Sequence, residues 1–269
     1  MTEDEIILTA VRRCRRVDLY IDAPPLSAAQ EMALAEIKSR RMSGEPLQYI
    51  LGTTEFFGLE FLVNPCVLIP RPETELLVED VLRRVSGVSG SSLSILDVGT
   101  GSGNIAVSLC KNLSDARVTA VDISSQALGI ARQNALRHGV LERIEFIQGD
   151  ARESLSNIPS IRRVFDIIVS NPPYIPSGQW TGLPVEVRRE PRCALDGGTD
   201  GLDFYRAIVR GAPAALRPGG LICFEIGDGQ DLAVKKIFQD TQQFGGVSVI
   251  KDYRAIPRIL TAELNPWKN

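Results

Sequence analysis

The sequence has 269 residues, of which 44% are hydrophobic and 23% are charged, and its 30 Lys and Arg against 33 Asp and Glu leave a net charge of −3. This balance is typical of a globular protein with one large and one small domain, and it excludes a disordered or fibrous chain. The net charge argues against nucleic-acid binding driven by overall charge alone. Scattered cysteines favour a reduced cytoplasmic protein without a metal site. The N-terminus is acidic and no long apolar run occurs, and both features argue against secretion and membrane insertion.

The first fifty residues predict two or three short helices that form a small cap. Apolar residues recur at three- and four-residue spacing from Ile6, and Ser27 with Gln30 makes a capping box before a second helix. We expect the apolar side of that second helix to carry Met32, Leu34, Ala35 and Ile37. Next, Thr53 to Leu62 predicts a β-hairpin that turns at Gly58 and links the cap to the rest of the chain.

From residue 93 onwards, short β runs alternate with helical stretches. The predicted strands are Ser94 to Val98, Arg117 to Asp122, Ile144 to Gln148, Phe165 to Ser170, Leu221 to Ile226, Val247 to Lys251 and Ile259 to Glu263. The predicted helices are Asn104 to Leu113, Ser125 to His138, Leu202 to Leu216 stopped by Gly219, and Asp231 to Gln239. This alternation indicates an α/β fold whose mostly parallel sheet binds ligands at the carboxyl ends of its strands.

A glycine-rich turn follows the first of these strands. It contains Asp97, Gly99, Thr100, Gly101, Ser102 and Gly103. Glycines suit a backbone that turns sharply and approaches a ligand at a helix N-terminus. The spacing is G-x-G-x-G, whereas dinucleotide enzymes have G-x-G-x-x-G. The alternative is a turn that serves packing only.

Acidic residues also end the next two strands. Asp122, beside Ile123, has two carboxylate oxygens that suit the vicinal hydroxyls of a ribose, although it can instead cap the helix that follows. Asp150, beside Ala151, can accept a hydrogen bond from an adenine amino group, or it can belong to a simple turn. We assign all four residues to a cofactor site.

The most specific motif is Asn171, Pro172, Pro173 and Tyr174 after the fourth strand. An amide or exocyclic amine is a poor nucleophile, so an enzyme must orient its nitrogen with hydrogen-bond acceptors. The Asn171 side-chain oxygen and the Pro172 carbonyl can supply them, while Tyr174 stacks on the flat group and the prolines stiffen the segment. We therefore expect a catalytic role for Asn171, Pro172 and Tyr174 and a substrate-binding role for all four, with Asn171 also at the cofactor. A Pro-rich turn without function is the alternative.

The glycine loop resembles motif I of the class I S-adenosylmethionine methyltransferases, and with the N-P-P-Y motif it resembles the amino-methyltransferases. The segments that begin at Gly44, Glu55, Leu68 and Glu190 are similar to those of the HemK/PrmC family. The resemblance implies a Rossmann-like fold, S-adenosylmethionine as cofactor, and N5 methylation of the glutamine in the Gly-Gly-Gln motif of peptide chain release factors. It also implies residues 1–50 as a release-factor-contacting cap, 51–75 as a hairpin linker beside the active site, and 76–269 as the methyltransferase domain. The N-terminal region is short for the family, and Ala255 stands where the family commonly has glycine.

Several alternatives remain open at this point. A nucleic-acid amino-methyltransferase acting on adenine N6 or guanine N2 has the same chemistry, but a cap with seven basic and eight acidic residues disfavours it. We expect no sequence-specific nucleic-acid binding and no membrane partner. A non-catalytic protein that keeps the fold as a scaffold is a third possibility. The segment around Pro70, Arg71, Glu73 and Thr74 either contacts the methionine end of the cofactor or supports the residues that do. The loop from Ile175 to Asp200 is long enough to close over a substrate.

Overall fold

The computed structural model describes residues 2–21, 24–86, 92–153, 155 and 164–266. Its N-terminal part contains four short helices rather than the predicted two or three: α1 Glu3–Arg12, α2 Asp18–Ile21, α3 Ala28–Met42 and α4 Leu47–Leu51. The capping box of Ser27 and Gln30 before α3 is confirmed. The prediction of an apolar, core-facing side for α3 is wrong in part. Met32 is 75% exposed, and none of the described residues of α3 is fully buried.

The predicted hairpin is confirmed as β1 Thr53–Phe56 and β2 Leu59–Leu62. Its two turn residues, Phe57 and Gly58, have φ values of 52° and 69°, as a type I′ turn requires. Helix α5 Pro72–Val85 follows, with proline in its first turn; this helix was not predicted from the sequence. The Phe57 N–H donates to Glu75 Oε1 over 2.7 Å, which ties the hairpin to α5. Helix α5 also runs through the predicted domain boundary at residues 75/76, and the division into three segments stays a prediction.

The remainder is the predicted α/β domain, which is built on a seven-stranded sheet. The strands are β3 Ser94–Val98, β4 Arg117–Asp122, β5 Ile144–Gln148, β6 Phe165–Ser170, β7 Leu216–Glu225, β8 Phe244–Lys251 and β9 Pro257–Leu264. The helices are α6 Asn104–Asn112, α7 Ser125–Arg137, α8 Asp203–Ala215 and α9 Asp231–Thr241. The sheet order is β5-β4-β3-β6-β7-β9-β8, in which β9 runs antiparallel to both neighbours and the other pairings are parallel.

Helices cover both faces of this sheet because its strands are apolar on both sides. In β3, Ile95 packs into the cluster that includes α5 and α6, whereas the next residue, Leu96, packs into the cluster that includes α8 and α9. Both residues are fully buried. Successive side chains of a strand point to opposite faces, so one short strand contributes to two cores.

Several predicted strands begin earlier in the structure: β7 at Leu216 rather than Leu221, β8 at Phe244 rather than Val247, and β9 at Pro257 rather than Ile259. Gly219 does not stop a helix; α8 ends at Ala215 and β7 begins at Leu216, where it pairs with Phe165 before a bulge. The segment from Ile175 to Asp200 is ordered by short 3₁₀ turns at Ser177–Gly182, Val187–Arg189 and Arg192–Ala194. An isolated bridge also joins Ile175 to Asp196.

None of the helices in the described part of the chain has the length and apolar character needed to cross a membrane.

Candidate active site

A cavity of about 490 Å³ opens where four parallel strands end, within the size range of small-molecule sites. Val98 lines it at the end of β3, Asp122 at the end of β4, Gly149 after β5 and Ser170 at the end of β6. The other predicted residues in its wall are Gly99, Gly101, Ile123, Asp150, Ala151, Asn171, Pro172 and Pro173. The sheet therefore brings the three predicted cofactor segments and most of the N-P-P-Y motif to one cavity.

The glycine loop lies between β3 and α6. Gly99, Gly101 and Gly103 have φ values of 76°, 55° and 80°, a region that residues with a side chain rarely adopt. A Cβ atom built on Gly99 or Gly101 would have no neighbour within 4 Å, so the backbone there faces open space. At Gly103 a Cβ would lie 3.0 Å from that of Ala131, and this glycine lets α6 approach α7. The first two glycines thus leave room for a ligand, and the third serves packing.

Asp97 lies beneath the loop and does not line the cavity. It is fully buried, and its Oδ2 accepts a hydrogen bond of 2.6 Å from Thr100 Oγ1. Its Oδ1 has no hydrogen-bond partner among the described residues. Burial, which disfavours the charged form, raises the pKa of Asp97 to about 7. Thr100, Ser102 and Gly103 also lie outside the cavity wall, so these predicted cofactor residues support the loop rather than face the open space.

The Asp122 carboxylate is held from both sides. Its Oδ2 accepts from the Gly101 N–H and its Oδ1 from the Ser124 N–H, each over 2.9 Å. Ser124 caps α7 with its own side chain, so the alternative that Asp122 helps to start this helix also holds. Each carboxylate oxygen keeps a second lone pair for a ligand. Burial raises the pKa of Asp122.

Asp150 lines the cavity but is engaged by a neighbour. The Arg152 guanidinium binds both of its oxygens at 2.6–3.1 Å, and these bonds lower the pKa of Asp150. The same guanidinium lies 5.9 Å from the ring centre of Phe204, which also lines the cavity. This end of the cavity therefore combines a carboxylate, a cation and an aromatic ring.

Asn171 and Pro172 present two hydrogen-bond acceptors at the cavity wall. The Asn171 Nδ2 donates to Thr74 Oγ1 over 3.1 Å, which leaves its Oδ1 as the free atom of the amide. Among the described residues, no donor bonds either Asn171 Oδ1 or the Pro172 carbonyl. Ser170 precedes them and donates from its Oγ to the Val98 carbonyl over 2.6 Å, which joins this corner to the glycine loop.

Tyr174 is the one N-P-P-Y residue that does not line the cavity. Its ring packs against the core and lies 3.0 Å from where a Cβ of Gly227 would be, and its carbonyl accepts from Gln230 Nε2 over 3.0 Å. Burial raises the pKa of Tyr174 to about 12. The predicted stacking of Tyr174 on a substrate stays a prediction, and in this structure the side chain supports the corner from behind.

The cavity wall includes residues that the sequence analysis did not assign to a site. They come from the segment after the hairpin, from the beginning of α7, from the turn after β5, from the loop after Tyr174 and from α8: Cys66, Val67, Leu68, Ser124, Ala127, Arg152, Ser177, Arg192, Cys193, Ala194, Asp196, Gly198, Asp203, Phe204 and Ile208. Two of these segments are tied together by Glu190, which is 4% exposed and accepts from the Ile69 N–H over 3.0 Å and from the Arg71 side chain. The resemblance had marked the segments at Leu68 and Glu190, but only the fold brings them into contact.

Comparison with known proteins agrees with this architecture. The chain matches the Methyltransferase domain family over residues 89–261 and the PrmC N-terminal domain family over residues 2–52. A release factor glutamine methyltransferase of Chlorobaculum tepidum is 45% identical over 96% of this chain and 88% of the relative. One of Geobacter sulfurreducens is 47% identical over 89% and 81%. A methyltransferase structure from Pyrococcus furiosus shares the fold, with a TM-score of 0.55 and 18% identity over 86% of this chain and 99% of that one. This chain therefore belongs to the release factor glutamine methyltransferase family.

Proposed function

We propose that this protein transfers a methyl group from S-adenosylmethionine to the side-chain amide nitrogen, N5, of the glutamine in the Gly-Gly-Gln motif of peptide chain release factors. The observation that carries the proposal is the pair of free acceptors at the cavity wall, Asn171 Oδ1 and the Pro172 carbonyl. A primary amide has two N–H groups. Two acceptors on one stiff corner can bind both and so fix the direction in which the nitrogen points.

The two acceptors also favour the charge that develops on the nitrogen. An amide nitrogen is a weak nucleophile because its lone pair is delocalised into the carbonyl. Acceptors that bind its N–H groups stabilise positive charge as the new bond forms, and they need no reorganisation because Asn171 and Pro172 are already in place. Pro172 is buried and has no N–H of its own, so its carbonyl is presented on a rigid segment.

The residues present fit S-adenosylmethionine. The backbone of Gly99 and Gly101 faces open space, Asp122 suits ribose hydroxyls, and Asp150 with Phe204 suits an adenine base. When bound, S-adenosylmethionine supplies an electrophilic methyl group on a sulfonium. The carboxylates of the site complement the positive charge of such a ligand.

The cap supports a protein substrate. Among its described residues, Tyr20, Ile21, Met32 and Met42 are 70–88% exposed, and exposed apolar side chains of this size are common at protein interfaces. The cap also contacts the loop beside the cavity, since Arg41 pairs with Glu186 at 3.0 Å. We assign release-factor contact to residues 1–50, and we place the reaction in the cytoplasm, where the free state of the five cysteines is expected.

The test is a methyl-transfer assay with S-adenosylmethionine and a bacterial release factor. Replacing a hydrogen by a methyl group adds about 14 mass units, and we expect this increase on the peptide that contains the Gly-Gly-Gln glutamine. Release factor with that glutamine replaced by asparagine is the matched control. DNA and ribosomal RNA in parallel assays test the alternative of a nucleic-acid amino-methyltransferase. Folded protein that methylates a nucleic acid and leaves the release factor unmodified would refute the proposal.

A further inference from the structure

The side chains of Thr74, Asn171 and Glu225, from distant parts of the sequence, meet at the ends of two neighbouring strands. Ser170 of β6 pairs with Phe224 of β7, so the next residues, Asn171 and Glu225, lie beside each other at the ends of neighbouring strands. Thr74, in the first turn of α5, reaches both. Its Oγ1 lies 2.5 Å from Glu225 Oε2 and 3.1 Å from Asn171 Nδ2.

Neither Thr74 nor Glu225 touches the cavity. Each is 1% exposed, and neither belongs to the cavity wall. Both are polar groups in a position where a buried apolar pair would cost less to desolvate. Since Glu225 does not line the cavity, its presence needs another physical reason.

The number of protons and lone pairs on each of the three groups decides which group donates and which accepts in the two hydrogen bonds. In its ionised form the Glu225 carboxylate only accepts, so the single hydroxyl proton of Thr74 is then donated to Glu225. The Thr74 oxygen can then only accept, and the group that donates to it is the Asn171 amide NH₂. With the nitrogen held by Thr74, the amide oxygen of Asn171 faces the opposite way, towards the cavity.

We propose that Thr74 and Glu225 are positioning residues that fix the Asn171 amide so that its oxygen, and not its nitrogen, meets the substrate NH₂ group. This inference rests on the proposed function. If the Asn171 amide turned over, its NH₂ would face the NH₂ of the substrate, and two donors would oppose each other. The Glu225 carboxylate prevents this by claiming the one proton that Thr74 could otherwise offer to Asn171 Oδ1.

The first test replaces the hydroxyl and keeps the shape. Thr74→Val removes the hydroxyl with little change in volume, whereas Thr74→Ser keeps it. We expect Thr74→Val to lower kcat about 10- to 100-fold, which is the size of loss seen when a supporting hydrogen bond is removed at metal sites, and Thr74→Ser to keep a kcat close to that of the wild type. The dissociation constant for S-adenosylmethionine, from calorimetry, should be unchanged in both. A purely structural role would instead lower the unfolding temperature without this selective loss of kcat.

The second test uses Glu225→Gln, alone and combined with Thr74→Val. A glutamine amide can either donate to or accept from Thr74. The direction of the hydrogen bonds from Asn171 to Thr74 and on to residue 225 is then no longer fixed, and kcat should fall. In the double variant the loss of kcat should be no larger than in Thr74→Val alone, because both changes break the same series of hydrogen bonds. Losses that multiply would show two independent roles and overturn the inference. Glu225→Gln also serves if Thr74→Val does not fold.

A third measurement needs no release factor. Amide NMR of the ¹⁵N-labelled protein, with the Asn171 side chain assigned from its absence in Asn171→Asp, reports the exchange of the Nδ2 protons. We expect slow exchange in the wild type and Thr74→Ser, and fast exchange in Thr74→Val. Equal exchange in all three proteins would overturn the inference whatever the activity. If the exchange pattern is as expected but the wild type does not methylate release factor, the amide orientation is supported and the proposed function is what fails.

Discussion

Replacing Asp97 by asparagine should change how the stability of this protein depends on pH. Asp97 is fully buried, its Oδ1 has no partner among the described residues, and its pKa is raised to about 7. The folded state therefore holds a proton on Asp97 at a pH where the unfolded chain has already lost it. Between the ordinary value of 3.8 and about 7, the folded state binds more protons than the unfolded state, and its stability falls as the pH rises.

The size of the effect follows from the two pKa values. Each unit of difference corresponds to about 1.4 kcal/mol, and the part that lies between pH 5 and pH 8 amounts to roughly 2–3 kcal/mol. Burial raises the pKa of Glu225 to about 7 as well, so Glu225 contributes a loss of the same sign. We expect Asp97→Asn to remove about half of the pH dependence that the two carboxyls produce.

Urea unfolding of the ligand-free protein at pH 5, 6, 7 and 8 measures how the free energy of unfolding depends on pH. Asp240→Asn, which removes an exposed carboxyl from α9, is the matched control and should keep the wild-type curve, since exposed ion pairs contribute little. If Asp97→Asn and the wild type lose stability in parallel from pH 5 to pH 8, then Asp97 does not titrate in this range. The assignment of a neutral, buried Asp97 at low pH would then be wrong.

Three further substitutions test other parts of the site. Asn171→Ala should lower kcat by about 10²- to 10³-fold while S-adenosylmethionine affinity, from calorimetry, changes little; equal losses in both would contradict the role of Asn171 as acceptor. A Cβ on Gly197 would lie 2.7 Å from the Pro173 carbonyl, so Gly197→Ala should displace the N-P-P-Y corner, cost about 1–3 kcal/mol in unfolding free energy and lower kcat. Gly178→Ala, with nothing within 4 Å of its Cβ, is the control. Equal unfolding free energies and kcat values in the two variants would refute the expected displacement of the corner. Ala255 has a φ of 62°, so Ala255→Gly should raise the thermal stability by up to about 1 kcal/mol; a decrease would show that the backbone there is not strained.

Much of the fold could be predicted because local patterns and long-range packing agree. All seven strands of the large sheet were predicted, since each is a short apolar run followed by turn residues. Helix α5 was not predicted, because its beginning at Pro72 was taken only as a motif beside the site. Helix α8 ends one residue before the predicted Leu216, but β7 begins five residues before the predicted Leu221, because the pairing of Leu216 with Phe165 is a tertiary contact that Gly219 does not reveal.

The same limit applies to the site. Residues that follow strand ends were predicted to converge, and Gly99, Asp122, Asp150 and Asn171 do line one cavity. Tyr174 was predicted at the substrate from its place in the motif. Its ring packs against the core and lies close to Gly227, while its contact with a substrate stays a prediction. A motif gives the order of residues, but the direction of a side chain depends on what packs around it.

The adjacency of β3 and β6 explains how the two halves of the site are kept in register. The glycine loop leaves β3 and the N-P-P-Y corner leaves β6, and neighbouring strands lie about 4.8 Å apart. The buried bond from Ser170 Oγ to the Val98 carbonyl closes this junction. The separation between the loop that would hold the methyl donor and the acceptors that would hold the amide is therefore set by backbone pairing, and no closing loop is needed to create it. We therefore expect recognition of a protein substrate to depend on the surroundings of this junction, which are the cap and the segment around Glu190.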